Sequence, residues 1–209
     1  ANVLKEGDLF LLDAGAESQM HYAGDLSSTF PVGKTFSVIQ KEIYLATLKA
    51  HDAAINCLAP NVRFRDVHFA ACRSIASSMK DLGLMKGDME EAVAEGAHAL
   101  FFPCGTGHMM GLDVHDMEDL GEVWVGYGGE AKSTQFGLKS LRFAKELLPG
   151  HVFTIEPGIY FIPQLIELWK SEGKFDQFLN WKEIERFKSF GGIRNEENFL
   201  ITDSGYQRL

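Results

Sequence analysis

At 209 residues, the chain suits one domain and is long enough to bury a sizeable core. Its 45% hydrophobic and 23% charged residues are an ordinary globular balance, and no apolar run approaches the roughly 18 residues of a membrane span. The net charge of −9, without any Lys/Arg cluster, argues against a nucleic-acid partner; it fits plain solubility, or carboxylates whose charge a cation offsets.

The chain opens on Ala1-Asn2-Val3-Leu4, with neither an initiator Met nor a charged-then-apolar leader, as expected of a processed product or an excised piece. Asp8 to Ala14 reads as a buried strand, and Tyr22 to Phe30 as its hairpin partner. Ser37-Val38-Ile39-Gln40 has the form of a capping box, which predicts a helix start. Ile39, Ile43, Ala46, Ala50, Ala54 and Leu58 line one face of that helix, and Pro60 closes it. A second helix is predicted from about Arg65 to Leu82, with Val67, Ala71, Ile75 and Met79 as its stripe and Gly83 as its stop. A third covers roughly Met89 to Ala99.

Leu100 to Gly111 is apolar and Gly-rich, and 112–135 reads as a long loop of the kind that often carries function. Leu138 to Leu147 is predicted helical. A strand follows from His151 to Ile155, broken by Glu156-Pro157-Gly158 and continued by Ile159 to Ile162. Short helices are expected in 163–189, and Gly191 to Thr202 reads as the last strand before the turn Asp203-Ser204-Gly205. Helices and strands mix without regular βαβ alternation, which favours an α+β sheet.

Asp13, Asp25, His108, Glu156 and Glu196 sit beside strand ends or Gly-rich turns. Four carboxylates and one imidazole form an oxygen-rich set that suits Mn²⁺, with Zn²⁺ and Co²⁺ as alternatives. Two cations share such a set when carboxylates bridge them. Singly, each residue has a plainer reading: a turn acid, a cap, a core histidine or a solvated edge. No spacing rule links them. Cys57, Cys72 and Cys104 are an odd count without C-x-x-C, which argues against a disulfide framework or a structural zinc site and for a reducing, cytoplasmic compartment.

The ordered segments LLDAGAE, YAGDLSSTFPVGKTF, FFPCGTGHMMGLDVHD, TIEPGIYF and GGIRNEENFLITDSG resemble the catalytic domain of the pita-bread metallopeptidases, the family of prolidase, aminopeptidase P and methionine aminopeptidase. The match runs in order along almost the whole chain and is closest to the prolidase branch through GLKSLRFAKELLPGHVFTIEPGIYF and FKSFGGIRNEEN. It implies a pita-bread α+β fold, a curved, mixed antiparallel sheet with helices packed outside. It also implies that residues 1–209 are the C-terminal part of a catalytic domain whose beginning, with another active-site histidine, lies elsewhere.

The resemblance further implies the site. Asp13 would serve one metal, His108 and Glu156 the second, and Asp25 and Glu196 would bridge. Glu156 would also shuttle a proton, His115 would stabilise the tetrahedral intermediate, and Arg194 would hold ligand carboxylates. Arg142 would pair with the carboxylate of a small proline-containing peptide. The implied activity is metal-dependent hydrolysis of Xaa-Pro bonds by a metal-activated hydroxide, as a dipeptidase, with an aminopeptidase on longer peptides or a catalytically impaired binding module as the alternatives. No membrane or nucleic acid is implied, and the implied assembly is a homodimer. Two local departures stand out. The twelve-residue step from Asp13 to Asp25 is one longer than the family's, and Cys104 replaces a family histidine with a poorer donor.

Overall fold

The computed structural model describes residues 3–209. Strands β1 (Leu9–Glu17) and β2 (Ala23–Pro31) form an antiparallel hairpin whose register runs unbroken from Leu9 opposite Pro31 to Glu17 opposite Ala23. The extra residue of the Asp13–Asp25 step therefore falls in the turn and not in a bulge. There the Ser18 N–H donates to the Tyr22 carbonyl at 2.9 Å, and His21 takes φ 67°.

Strand alternation puts Asp13, Asp25 and Ser27 on one face of the hairpin. Phe10, Leu12, Leu26 and Phe30 lie on the other, each 40–53% exposed. The buried strand expected at 8–14 is thus buried on neither face fully, because no element of the described residues covers its apolar side.

Helices α1 (Val38–Ile55) and α2 (Phe64–Asp81) pack together and against the sheets. The capping box forms as predicted: Gln40 N–H donates to Ser37 Oγ at 3.3 Å, and Ser37 N–H donates to Gln40 Oε1 at 2.9 Å. The buried stripe starts at Ile43, one turn later than expected, and leaves Ile39 exposed. Helix α3 (Met89–Glu95) stops short of Ala99 because Gly96 turns left-handed at φ 94°; Ala97–Leu100 then form a 3-10 turn. The long segment 112–135 holds a 3-10 turn at Glu118–Leu120 and the single-turn helix α4 (Glu122–Val125).

The helix predicted over 138–147 does not form. Leu138–Ser140 make one 3-10 turn, and Leu141 then turns extended. Tertiary partners take the backbone bonds that a helix would have made. Ala144 and Lys145 N–H both donate to the Gly126 carbonyl, at 2.8 and 2.9 Å, and Leu147 N–H donates to Val62 O at 2.8 Å. Gly126 permits this approach, since a Cβ there would sit 2.0 Å from the Arg142 carbonyl oxygen.

Strand β3 (Val152–Ile155) pairs with β6 (Glu197–Thr202), which pairs with β7 (Gly205–Arg208); β4 (Gly158–Phe161) pairs with β5 (Gly191–Arg194). All these pairs are antiparallel. The single strand expected over 191–202 is two, because the chain changes sheets at Asn195-Glu196. Helices α5 (Pro163–Ser171) and α6 (Trp181–Ile184) cover the β4–β5 end, with Ile166, Trp169 and Ile184 buried against it. Phe101, Phe102, Ile159 and Ile193 centre one core, and Phe64, Phe143, Phe153 and Phe199 the other. Burying such a side chain contributes on the order of 2–3 kcal/mol. Among the described residues, no helix is long and apolar enough to cross a membrane.

Candidate metal centre

The hairpin reaches the β3–β6 frame through one bridge, Ser27 to Glu196, whose N–H donates to the Ser27 carbonyl at 2.9 Å. That bridge sets the inward face of β2 against the break between β5 and β6. Glu196, 4% exposed, occupies the break. From the other side, the loop before β3 runs along that strand. Glu156 N–H donates to Thr106 O at 2.7 Å, Thr154 N–H to His108 O at 3.0 Å, and His108 N–H to Thr154 Oγ1 at 3.1 Å. His108 is thereby laced to the strand that ends in Glu156. A Cβ on Gly107 would lie 2.0 Å from the Thr154 carbonyl oxygen, so only glycine lets the loop lie this close.

Asp25, His108 and Glu196 bring one ligand atom each to within 4.8 Å of one another. Asp13 and Glu156 line the same cavity of about 340 Å³, together with Cys104, His115, Arg142 and Arg194. All eight residues singled out in the sequence for metal or catalysis therefore meet in one place.

The imidazole of His108 is turned for coordination. Its Nδ1 lies 3.1 Å from the Met109 carbonyl oxygen, which can only accept, so Nδ1 carries the proton. The Nε2 lone pair then faces Asp25 Oδ2 at 3.4 Å and Glu156 Oε1 at 3.5 Å. Three electron-rich atoms point at one another, and a cation between them is the partner they lack.

The electrostatics agree. Burial, then the nearby charge of Glu196, push Glu156 up to about 8. Burial and the charge of Asp25 push Glu196 up to about 7, against the hydrogen bond that it accepts from Ser27. Burial also pushes His108 below its ordinary value. Such a group of acids cannot all ionise comfortably alone, and a divalent cation reverses that balance. The residues present fit a metal.

Arg194 ties the two sides together. Its guanidinium donates to Asp13 Oδ2 and, through Nε, to Ser27 Oγ at 3.0 Å; the Ser27 hydroxyl donates to Glu196 Oε2 at 2.7 Å. The Arg194 backbone is itself pinned, with Thr29 Oγ1 donating to its carbonyl at 2.9 Å and accepting from its N–H at 3.1 Å. His115 stacks edge-on to His108, their ring centroids 4.2 Å apart. Arg142 donates to Glu118 and, at 3.4 Å, lies against Glu122. It stands on an extended stretch, not on the helix predicted there. Cys104 is exposed at the cavity mouth, and partial loss of solvent around its sulfur, then the charge of Glu156, raise its thiol pKa.

The sequence reading missed Ser27 and Thr154 as supports. Both were findable, because each lies two residues along a strand from a ligand and so shares its face. It also missed Glu118, which no local pattern joins to Arg142.

A carboxylate-rich cavity completed by one oriented imidazole, on antiparallel strands backed by helices, is a candidate divalent-metal centre in an α+β fold. The model of metallopeptidase family M24 matches residues 1–203, and the chain belongs to that family. Human Xaa-Pro dipeptidase is 36% identical over 206 residues, which is 99% of this chain and 40% of that protein. A probable Xaa-Pro aminopeptidase of Podospora anserina is 36% identical over 203 residues, 95% of this chain and 41% of that protein. A Zn-substituted Escherichia coli aminopeptidase P in complex with product has a TM-score of 0.74 and 32% identity, over 98% of this chain and 38% of that one. Pseudomonas aeruginosa aminopeptidase PepP has a TM-score of 0.73 and 31% identity, over 99% and 39%. The fold is thus the pita-bread fold of aminopeptidase P, and the chain spans about 40% of the length of the curated relatives that it matches.

Proposed function

We propose that this chain carries the metal centre of a prolidase-like peptidase, which hydrolyses the Xaa-Pro bond of dipeptides. One observation carries the reading: the Nε2 lone pair of His108 faces the carboxylates of Asp25 and Glu156 at 3.4 and 3.5 Å. Relatives named Xaa-Pro dipeptidase and Xaa-Pro aminopeptidase supply the substrate class.

Asp13, Asp25, His108, Glu156 and Glu196 would hold two divalent cations, and the oxygen-rich set favours Mn²⁺ over Zn²⁺ or Co²⁺. When bound, the pair supplies Lewis acidity and a nucleophile active at neutral pH. Glu156, beside His108 and facing the cavity, takes the proton of the attacking water and returns it to the leaving nitrogen. His115 donates to the developing oxyanion. Arg194 positions Asp13 and, through Ser27, Glu196. Arg142 receives the free carboxylate of the proline residue. An Xaa-Pro bond has no N–H, so recognition falls on the carbonyl, the ring and that carboxylate.

A second reading, an aminopeptidase on longer peptides, draws on the pairing of Arg142 with Glu118 and Glu122, which commits its charge before substrate arrives. Turnover of Xaa-Pro dipeptides against Xaa-Pro-Xaa tripeptides, with Mn²⁺ present, decides between them. Preference for dipeptides supports the prolidase-like reading, and preference for tripeptides selects the second. Tight metal binding without turnover of either peptide would leave the binding-module alternative.

A further inference from the structure

A second group of metal-binding side chains lies in the core, apart from the cavity. His68 and Cys72 sit four residues apart on α2, on one face of the helix, and His98 meets them from the 3-10 turn after α3. One ligand atom from each lies within 4.8 Å of the others. His68 and Cys72 are fully buried, and His98 is 2% exposed.

His68 is aimed at the group. Its Nδ1 hydrogen-bonds with Thr106 Oγ1 at 2.8 Å, which leaves Nε2 against Cys72 Sγ at 3.4 Å. His98 is the anomaly. Neither ring nitrogen makes a well-formed hydrogen bond; a looser contact runs to the Val93 backbone, whose carbonyl already accepts from the Gly96 N–H at 3.1 Å. A buried imidazole with neither nitrogen well bonded is rare in a well-packed core and calls for a missing partner. Burial also keeps both imidazoles neutral, with His68 lowered to about 3 and His98 to about 4, so their lone pairs are free.

We propose that His68, Cys72 and His98 form a three-coordinate site for a soft monovalent d¹⁰ cation, Cu(I). Thiolate and imidazole are the ligands such an ion prefers. Charge decides against Zn²⁺. As the Cu–S bond forms, the Cys72 thiol releases its proton to solvent, and one thiolate with two neutral imidazoles around Cu(I) has no net charge. Zn²⁺ would leave a buried positive charge and a fourth position to fill, and no Asp or Glu oxygen joins the group. The Thr106 hydroxyl already serves His68, as a support that fixes the ring.

The test uses the whole chain as a Cys57→Ser/Cys104→Ser double variant, so that Cys72 is the remaining thiol. Anaerobic Cu(I) is supplied from a chromophoric chelator, both to the native protein and during refolding. The expected result is about one Cu(I) per chain withdrawn from the chelator, with X-ray absorption showing one sulfur and two nitrogen neighbours. Adding Cys72→Ser or His98→Gln should weaken binding by about 100-fold or more, since removing a ligand exceeds the loss from disturbing a support. The absorption spectrum of the double variant reads the ligands with the cluster intact, so a misfolded ligand variant does not decide the matter. A folded double variant that takes up no copper by either route overturns the proposal. So does binding without a sulfur neighbour, or a preference for Zn²⁺ over Cu(I).

Discussion

Asp13 leaves 53% of its side chain in solvent and Glu196 leaves 2%, although the same arginine approaches both. The two belong to different halves of the centre. Asp13 and Asp25 ride on a hairpin whose outer face, from Phe10 to Phe30, is open. His108 is bonded to β3 through Thr154, Glu156 follows β3 and bonds to the Thr106 loop, and Glu196 leads directly into β6, all in front of the packed phenylalanines. The frame half is preorganised at the cost of burying acids. The hairpin half is held mainly by the Ser27 bridge and by Arg194. A wall backed by a packed core and a wall backed by solvent thus face each other across the cavity, and each half should respond differently to perturbation.

The largest contrast is expected within the ligands. Glu196→Gln should weaken divalent-metal binding by about 100-fold or more, and Asp13→Asn by nearer 10-fold, because loss of a buried charge cannot be made good by water. Competition against a metallochromic indicator reads both, and equal losses would erase the distinction between the halves. Stability should split the same way. Phe153→Ala, behind the frame, should cost about 3–5 kcal/mol in denaturant unfolding, and Phe10→Ala, on the open hairpin face, under about 1 kcal/mol. A large loss from Phe10 would mean that another surface covers the hairpin.

Arg194→Ala should lower metal affinity by about 10–100-fold, the usual consequence of releasing ligand carboxylates from their support. Arg142→Ala should raise KM for Xaa-Pro dipeptides by about 10-fold, as loss of a charge-assisted hydrogen bond would, and leave tripeptides nearly unchanged. Equal effects on both would remove Arg142 from substrate recognition.

The smallest effect is in pH. Glu156 and Glu196 sit at about 8 and about 7 in the metal-free fold, above the ordinary 4.5. Acids raised on folding contribute stability that is complete below 4.5 and is lost as pH rises through 7 and 8. These two acids should therefore destabilise the metal-free chain between pH 5 and pH 8, while the buried neutral His68 and His98 act the other way over that range; Glu156→Gln should remove its share of the acid term, so that the variant's melting temperature rises more from pH 5 to pH 8 than the parent's. Saturating Mn²⁺ should reverse the trend, because ligands bind deprotonated. A Glu156→Gln variant with the parent's pH dependence would contradict the arrangement of charges around Glu156.

Much of the fold was legible from pattern. The capping box at Ser37, the stripe from Val67 to Met79 and the two strands of the hairpin form as read, although the first strand is not buried as expected. Leu138 to Leu147 failed for a reason that sequence does not carry. Its apolar spacing fits a helix, but its backbone bonds go to Gly126 and Val62, distant partners that only the fold supplies. The site was legible in another way. Asp13, Asp25, His108, Glu156 and Glu196 each had a plain reading alone, and only their ordered motifs joined them. The pairing of Arg142 with Glu118 crosses a long segment of short helical turns and loop, and left no local mark. The sequence reading passed over the i, i+4 step from His68 to Cys72, and His98 joins that pair only in three dimensions.

The most direct test of the account is the stoichiometry of Mn²⁺ bound by the folded chain, from calorimetry and elemental analysis. The account predicts about two ions per chain, with tight binding abolished in Asp25→Asn. A folded chain that binds no Mn²⁺, or an Asp25→Asn variant that still holds two ions, would contradict it.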